Sequence, residues 1–203
     1  VPSSSPNASL QLPFDTVVVA GGRSSRLGGA PKAQLSFEGS TLVAHTVAAV
    51  RLFGAVVVVG PEDPRLPPDV LRAREDPPFS GPAAAVAAGV VVLDGVSGRH
   101  EWTAVLACDM PHVDRALPAL VRAAQDVPPE VDGVMALSDE GRAENLAVLI
   151  RSAALSAVLR EVPTVDVSVR SVWRHLTLDT VPVPHASTSD VDTWEDVRRF
   201  DLH

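Results

Sequence analysis

Thr16-Val17-Val18-Val19-Ala20-Gly21-Gly22-Arg23-Ser24-Ser25-Arg26-Leu27-Gly28-Gly29-Ala30-Pro31-Lys32 is the stretch that decides how this 203-residue chain is read. Thr16–Ala20 is an unbroken apolar, β-branched run, the pattern of a strand buried on both faces. The segment after it holds four glycines and three cations, Arg23, Arg26 and Lys32, and no acid falls between Asp15 and Glu38. Ligands of open parallel α/β sheets sit outside the carboxyl ends of the strands, where such a loop would lie. Glycine lets backbone N–H groups approach phosphate oxygens with no Cβ in the way. The segment is therefore read as a polyphosphate cradle. A solvated basic turn is the plainer alternative, but that would not call for four glycines directly behind a buried strand. The loop is neither a Walker A motif, because Lys32 follows Pro31 and no Gly-Lys-Ser/Thr occurs, nor a dinucleotide G-x-G-x-x-G fingerprint.

Working outward, short β-branched runs alternate with alanine-rich stretches. Strands are expected at Thr16–Ala20, Ala55–Val59, Val70–Arg74, Thr103–Ala107, Gly133–Leu137 and Leu178–Val183. Helices are expected at Thr41–Phe53, from Ser80-Gly81-Pro82 to about Val92 with Ser80 near the cap, and at Asp114–Gln125, Ser152–Glu161 and Ser168–His175. Two apolar runs, Val134–Leu137 and Leu146–Ile150, flank Ser138-Asp139-Glu140-Gly141 and predict an antiparallel pair. Thr193-Trp194-Glu195-Asp196 reads as a capping box opening a last helix that turns Val197 and Phe200 inward. The expected fold is a three-layer α/β/α sandwich, Rossmann-like, with a mainly parallel sheet and one antiparallel element. The domain reading is a disordered tail over residues 1–13, rich in Ser and Pro and without charge, and one domain over 14–203.

Composition narrows the function classes. Seventeen Lys+Arg against 25 Asp+Glu give a net charge of −8, which argues against nucleic acid and against anionic membranes as partners. The 46% hydrophobic content suits a chain that fills a core. Cys108 is the sole cysteine, so neither an intrachain disulfide nor a multi-cysteine zinc site is available, and a reducing, cytoplasmic setting is expected. No apolar stretch approaches the roughly 18–20 residues of a membrane span, and no secretory signal is read at the start. Lys32 is the only lysine among the 17 basic residues. Either composition has left one lysine behind, or that position needs a compact ammonium to meet a phosphate.

The pattern Ala-Gly-Gly-x-Ser-x-Arg-Leu-Gly-x-x-x-Lys over residues 20–32 resembles the signature loop of the GT-A-like nucleotidyltransferases. Within them it is most similar to that of the molybdenum cofactor guanylyltransferases. Val19 stands for the usual Leu and Leu27 for the usual Met. Glu75-Asp76 followed by Gly81-Pro82, Ala107-Cys108-Asp109-Met110-Pro111, and Asp190–Asp196 extend the likeness in order along the chain. Two departures stand out. Asp190-Val191-Asp192-Thr193 replaces an Asn-x-Asn-Thr, adding two carboxylates where a phosphate contact is then disfavoured. Gly60 replaces an Asn after the second strand, removing a polar contact to base or ribose.

The resemblance implies transfer of GMP from GTP to a molybdopterin-type acceptor with release of pyrophosphate, in the presence of Mg²⁺. It places the nucleotide against Val19, Ala20, Gly21, Gly22, Lys32, Asp76, Gly81 and Asp109, with Arg26, Lys32 and Asp109 catalytic and Asp109 on the metal. Read alone, Asp109 and Asp76 are equally turn aspartates. Transient contact with cofactor-delivery proteins is also implied. The alternatives are cytidylyl transfer to the same pterin, against which Gly22 tilts the resemblance, another nucleotidyltransferase acting on a sugar phosphate or isoprenoid precursor, or a non-catalytic nucleotide-binding module. The six histidines show no zinc-ligand spacing, His112 is expected on the surface, and Ser24 and Ser25 have no base at suggestive spacing. Cys108 is expected to fill space as a small buried side chain.

Overall fold

The computed structural model describes residues 12–21 and 32–203. Its centre is a seven-stranded sheet in the order β5-β4-β1-β6-β8-β7-β9. These strands are β1 (Phe14–Val19), β4 (Val56–Val59), β5 (Leu71–Ala73), β6 (Trp102–Ala107), β7 (Gly133–Leu137), β8 (Ala143–Arg151) and β9 (Leu178–Pro182). β1 pairs in parallel with β4 and β6, β4 with β5, and β7 with β9, while β8 runs antiparallel to both β6 and β7. The expected mainly parallel sheet with an antiparallel element is what the chain forms.

β-Branched continuity follows from burial on both faces. Val18, Val56 and Val58 join one core with α1 (Leu42–Val50) and α3 (Leu117–Asp126); Val17, Val19, Val57 and Val59 join the other with α2 (Pro82–Asp94), α4 (Ser152–Glu161) and α5 (Val169–Trp173). Helices thus cover both faces, giving the three layers. A third, smaller core gathers Phe37, Leu42, Val191, Val197, Phe200 and Leu202 around α6 (Trp194–Arg199). Thr193 Oγ1 accepts from the Asp196 N–H and Asp196 closes back on the Thr193 N–H, so the expected capping box is present.

Several boundaries differ from the sequence reading, each for a local reason. The helix expected from Asp114 is a 3-10 turn at Val113–Arg115 followed by α3, because Pro118 has no N–H to donate and takes a place in the helix's first turn. Gly81, at φ +93°, caps α2 instead of Ser80, whose hydroxyl donates to the Pro77 carbonyl within the preceding turn. Ser36–Phe37 (β2) and Ser40–Thr41 (β3) form an unforeseen hairpin. Its two-residue turn, Glu38-Gly39, has positive φ at both positions, the geometry that matches strand twist in tight hairpins. All but Leu12 and Pro13 of the expected tail lies outside the described residues, as does the loop from Gly22 to Pro31.

Candidate active site

The chain leaves β1 for β4 and β5 on one side and returns to β6 on the other, so the connections after β1 and β6 diverge. A crevice opens at such a reversal. Here it is a cavity of about 540 Å³ at the carboxyl ends of β1, β4, β5 and β6. Val19, Ala20 and Gly21 form its floor. The Ala20 N–H donates to the Val59 carbonyl at 2.8 Å and the Cys108 N–H to the Val19 carbonyl at 3.1 Å, which fixes the three strand ends against one another. Gly60 is required by this closeness. Its φ is +154°, and a Cβ there would lie 2.8 Å from the Ala20 carbonyl carbon and 2.9 Å from the Gly21 nitrogen. The departure from the family's Asn thus serves backbone packing beneath the site.

Lys32 opens the 3-10 turn Lys32–Gln34 and lines the cavity with Asp109. Its Nζ lies 3.5 Å from Asp109 Oδ2 and donates to Asp192 Oδ1. The Lys32 side chain is 17% exposed, that of Asp109 25%. Two contacts bring Asp192 here: the Val191 N–H donates to the Asp109 carbonyl at 2.9 Å, and buried Val191 anchors the segment in the small third core. The carboxylate that argued against a phosphate contact thus has another use, as partner of the ammonium.

Electrostatics follow from that crowding. Burial alone would depress Lys32, but Asp192 and Asp109 outweigh it and hold the ammonium above the ordinary lysine value. Burial pushes Asp109 up, Lys32 opposes the shift, and nearby Asp190 and Asp192 reinforce it. Among the described residues, three carboxylates against one lysine leave net negative charge here. Hard carboxylate oxygens at one cavity wall suit Mg²⁺, which takes one or two carboxylates and completes its octahedron with water and substrate phosphate. No group of three or more His, Cys, Asp or Glu side chains that could hold a metal ion by themselves occurs among the described residues.

Of the other expected site residues, Gly81 lines the cavity and Asp76 does not. Asp76 is exposed, and the carboxylate on the wall is that of its neighbour Glu75, which is buried. The reason is local: Glu75 Oε1 accepts the Phe79 N–H at 3.1 Å, folding the turn around Glu75 and leaving Asp76 outside it. Gly22 and Arg26 lie outside the described residues. Cys108 is buried, burial pushes its thiol well up, and it fills space beside Asp109 as expected. His112 is half-buried and meets Phe37 and Phe200 edge-on, so it packs beside the third core.

The family of the MobA-like NTP transferase domain matches residues 16–181. A molybdenum cofactor guanylyltransferase of Pseudomonas entomophila is 40% identical over 114 residues, 54% of this chain and 57% of that protein. The chain spans little more than half the length of the curated relatives it matches. Among solved structures, molybdopterin-guanine dinucleotide biosynthesis protein A of Archaeoglobus fulgidus superposes with a TM-score of 0.68 at 17% identity, over 92% of this chain and 96% of that one. A 4-diphosphocytidyl-2C-methyl-D-erythritol synthase of Anaerococcus prevotii superposes at 0.64 and 8% identity, over 94% and 97%. At those identities the likeness is one of fold. No helix among the described residues is long and apolar enough to cross a membrane.

Proposed function

The chain belongs to the MobA-like NTP transferase family, and from that premise we propose that it transfers GMP from GTP to the terminal phosphate of a molybdopterin-type acceptor, releasing pyrophosphate. The observation that carries this reading is the meeting of Lys32 and Asp109, 3.5 Å apart, on the wall of a cavity at the carboxyl ends of β1 and β6.

An acceptor phosphate oxygen attacks the α-phosphorus of GTP, and the bond from that phosphorus to the bridging β-phosphate oxygen breaks. The acceptor is already an anion, so no general base is needed. Positioning and charge neutralisation carry the rate. Backbone N–H groups of Gly21 and Gly22 receive the triphosphate, beside Val19, Ala20 and Gly81. Lys32 exchanges Asp192 for phosphate oxygens, and Arg26 meets the charge that builds on the leaving pyrophosphate. Asp109 would hold Mg²⁺, which supplies Lewis-acid neutralisation of phosphate charge when bound. Asp76, outside the cavity wall, is left to the outer edge of the nucleotide.

The unit over residues 14–203 acts as one nucleotidyltransferase domain, a reading supported by its single continuous main sheet. Its single, buried Cys108 fits a cytoplasmic setting. The product passes to delivery proteins by transient contact. Pyrophosphate release tests the proposal: GTP with molybdopterin and Mg²⁺ is expected to give turnover. Turnover with CTP and not GTP would reassign the base, and none with any nucleotide would leave a binding module.

A further inference from the structure

Glu75 is used by nothing in the mechanism above, yet it is a carboxylate only 8% exposed that lines the cavity. One oxygen, Oε1, accepts the Phe79 N–H. The other, Oε2, is buried and has no hydrogen-bond partner among the described residues. A buried carboxylate oxygen without a donor is costly, and a group kept in that state calls for a partner that the described residues do not provide. Strain points to the same place. Phe79, which donates to Glu75, sits at φ +66°, a left-handed setting that a bulky side chain rarely takes, and it too lines the cavity. The turn is held in an unfavourable shape with Glu75 at its centre.

Position says which part of a nucleotide this is. Glu75 follows β5 and Asp109 follows β6, three strand spacings apart in the order β5-β4-β1-β6. At about 4.8 Å per spacing that is roughly 14 Å. With phosphates at Lys32 and Asp109, the far end of the cavity is left for the base. The strand ends between them offer Gly21 and Pro61, neither of which gives a base a side-chain donor or acceptor, while Asp63, further along the wall, spends its oxygens on Thr41 and Arg65. Gly21 on the floor faces this carboxylate: a Cβ there would meet Glu75 Oε1 at 3.7 Å, in ordinary van der Waals contact.

Chemistry then selects the base. An ionised carboxylate only accepts hydrogen bonds and has two oxygens side by side. Guanine presents two adjacent donors, N1–H and the N2 amino group, on its Watson–Crick edge. Adenine and cytosine each present an amino donor next to a ring-nitrogen acceptor, which would face a carboxylate oxygen with a lone pair. The terminal torsion of Glu is broad and roughly two-fold, so a small turn offers both oxygens to the base.

We infer that Glu75 is the guanine-reading residue of this site, accepting from N1–H and the 2-amino group. The inference rests on the nucleotidyltransferase reading and adds the residue that sets its base preference. Calorimetric titration of the full chain with GTP, ITP and CTP in Mg²⁺ tests it, because inosine lacks the 2-amino donor. Wild type should bind GTP about 10- to 100-fold tighter than ITP, the range expected for one hydrogen bond to a charged group. Glu75→Gln keeps an oxygen for the Phe79 N–H and should keep its melting temperature, while GTP weakens by a similar factor and the GTP-to-ITP ratio falls towards one. An unchanged ratio in a folded Glu75→Gln variant, or wild type that binds ITP as well as GTP, would overturn the inference and leave the nucleotidyltransferase reading standing. Wild type that binds no nucleotide would overturn that reading first.

Discussion

Two aspartates, one at each end of the sheet, meet cations in opposite ways. At the amino end, Asp15 on β1 receives the Arg99 guanidinium at 2.6 Å, the His100 N–H at 2.9 Å, and the Ala55 N–H at 3.0 Å, with His100 Nδ1 at 2.8 Å. Arg99 goes on to Thr103 Oγ1 at 2.9 Å, which meets Ser152 Oγ at 2.7 Å, closing the network. At the carboxyl end, Asp109 shares one lysine with Asp192 beneath an open cavity, and Glu75 leaves an oxygen unmet. The first arrangement answers every charge from within the chain and serves stability. The second sets several carboxylates about one lysine at an open cavity among the described residues, and that is the mark of a site. Burial opposes ionisation at Asp15, yet its hydrogen bonds from Arg99, His100 and Ala55 outweigh it and hold the carboxyl below the usual range, whereas burial and like charges push Asp109 up.

The contrast predicts which variants harm folding and which harm turnover. Asp15→Ala should cost about 3–5 kcal/mol in urea unfolding, the range for breaking a buried ion pair, with GTP affinity unchanged in the folded protein. Loss of GTP binding there would break the separation of the two ends. Lys32→Ala and Asp109→Asn should lower kcat by about 10²–10³, or roughly 2.7–4 kcal/mol of barrier. Near-normal turnover would remove the role given to either residue. Asp192→Asn should tighten GTP about fivefold, because Lys32 no longer has to leave a charged partner; weaker binding would mean that Asp192 itself holds part of the ligand.

The smallest expected effect is one of pH. The Asp15 carboxyl is depressed in the folded state, so its contribution is complete above the unfolded value near 3.9 and is lost as pH falls through the lower folded value. Asp15→Asn should therefore flatten the acid limb of stability below about pH 4 while lowering the neutral plateau, where the carboxylate's contribution is complete. A wild-type acid limb that persists in the variant would assign it to other carboxylates.

How much of this was legible in the sequence follows from how local each signal is. The runs at Val17–Val19 and Val56–Val59 betray strands buried on both faces because nothing polar interrupts them, and the flanking runs around Ser138–Gly141 betray the antiparallel pair. Lys32 and Asp109 could be singled out because one closes the glycine-rich loop and the other directly follows an apolar strand. Glu75 was not, since the choice between adjacent carboxylates depends on how the Glu75–Phe79 turn folds back, a contact no spacing encodes. Asp192 was noticed only as misplaced charge; its pairing with a lysine 160 positions away needs the tertiary fold. The Glu38-Gly39 hairpin left only a faint trace, a lone glycine between the short pairs Ser36-Phe37 and Ser40-Thr41.

The account stands most directly on one structure: a crystal of the protein with a non-hydrolysable GTP analogue and Mn²⁺ in place of Mg²⁺. It predicts phosphates between Lys32 and Asp109, the Lys32 ammonium drawn away from Asp192, and an anomalous peak beside the Asp109 carboxylate. Phosphates bound elsewhere, with Lys32 still paired to Asp192 and no metal at Asp109, would contradict it.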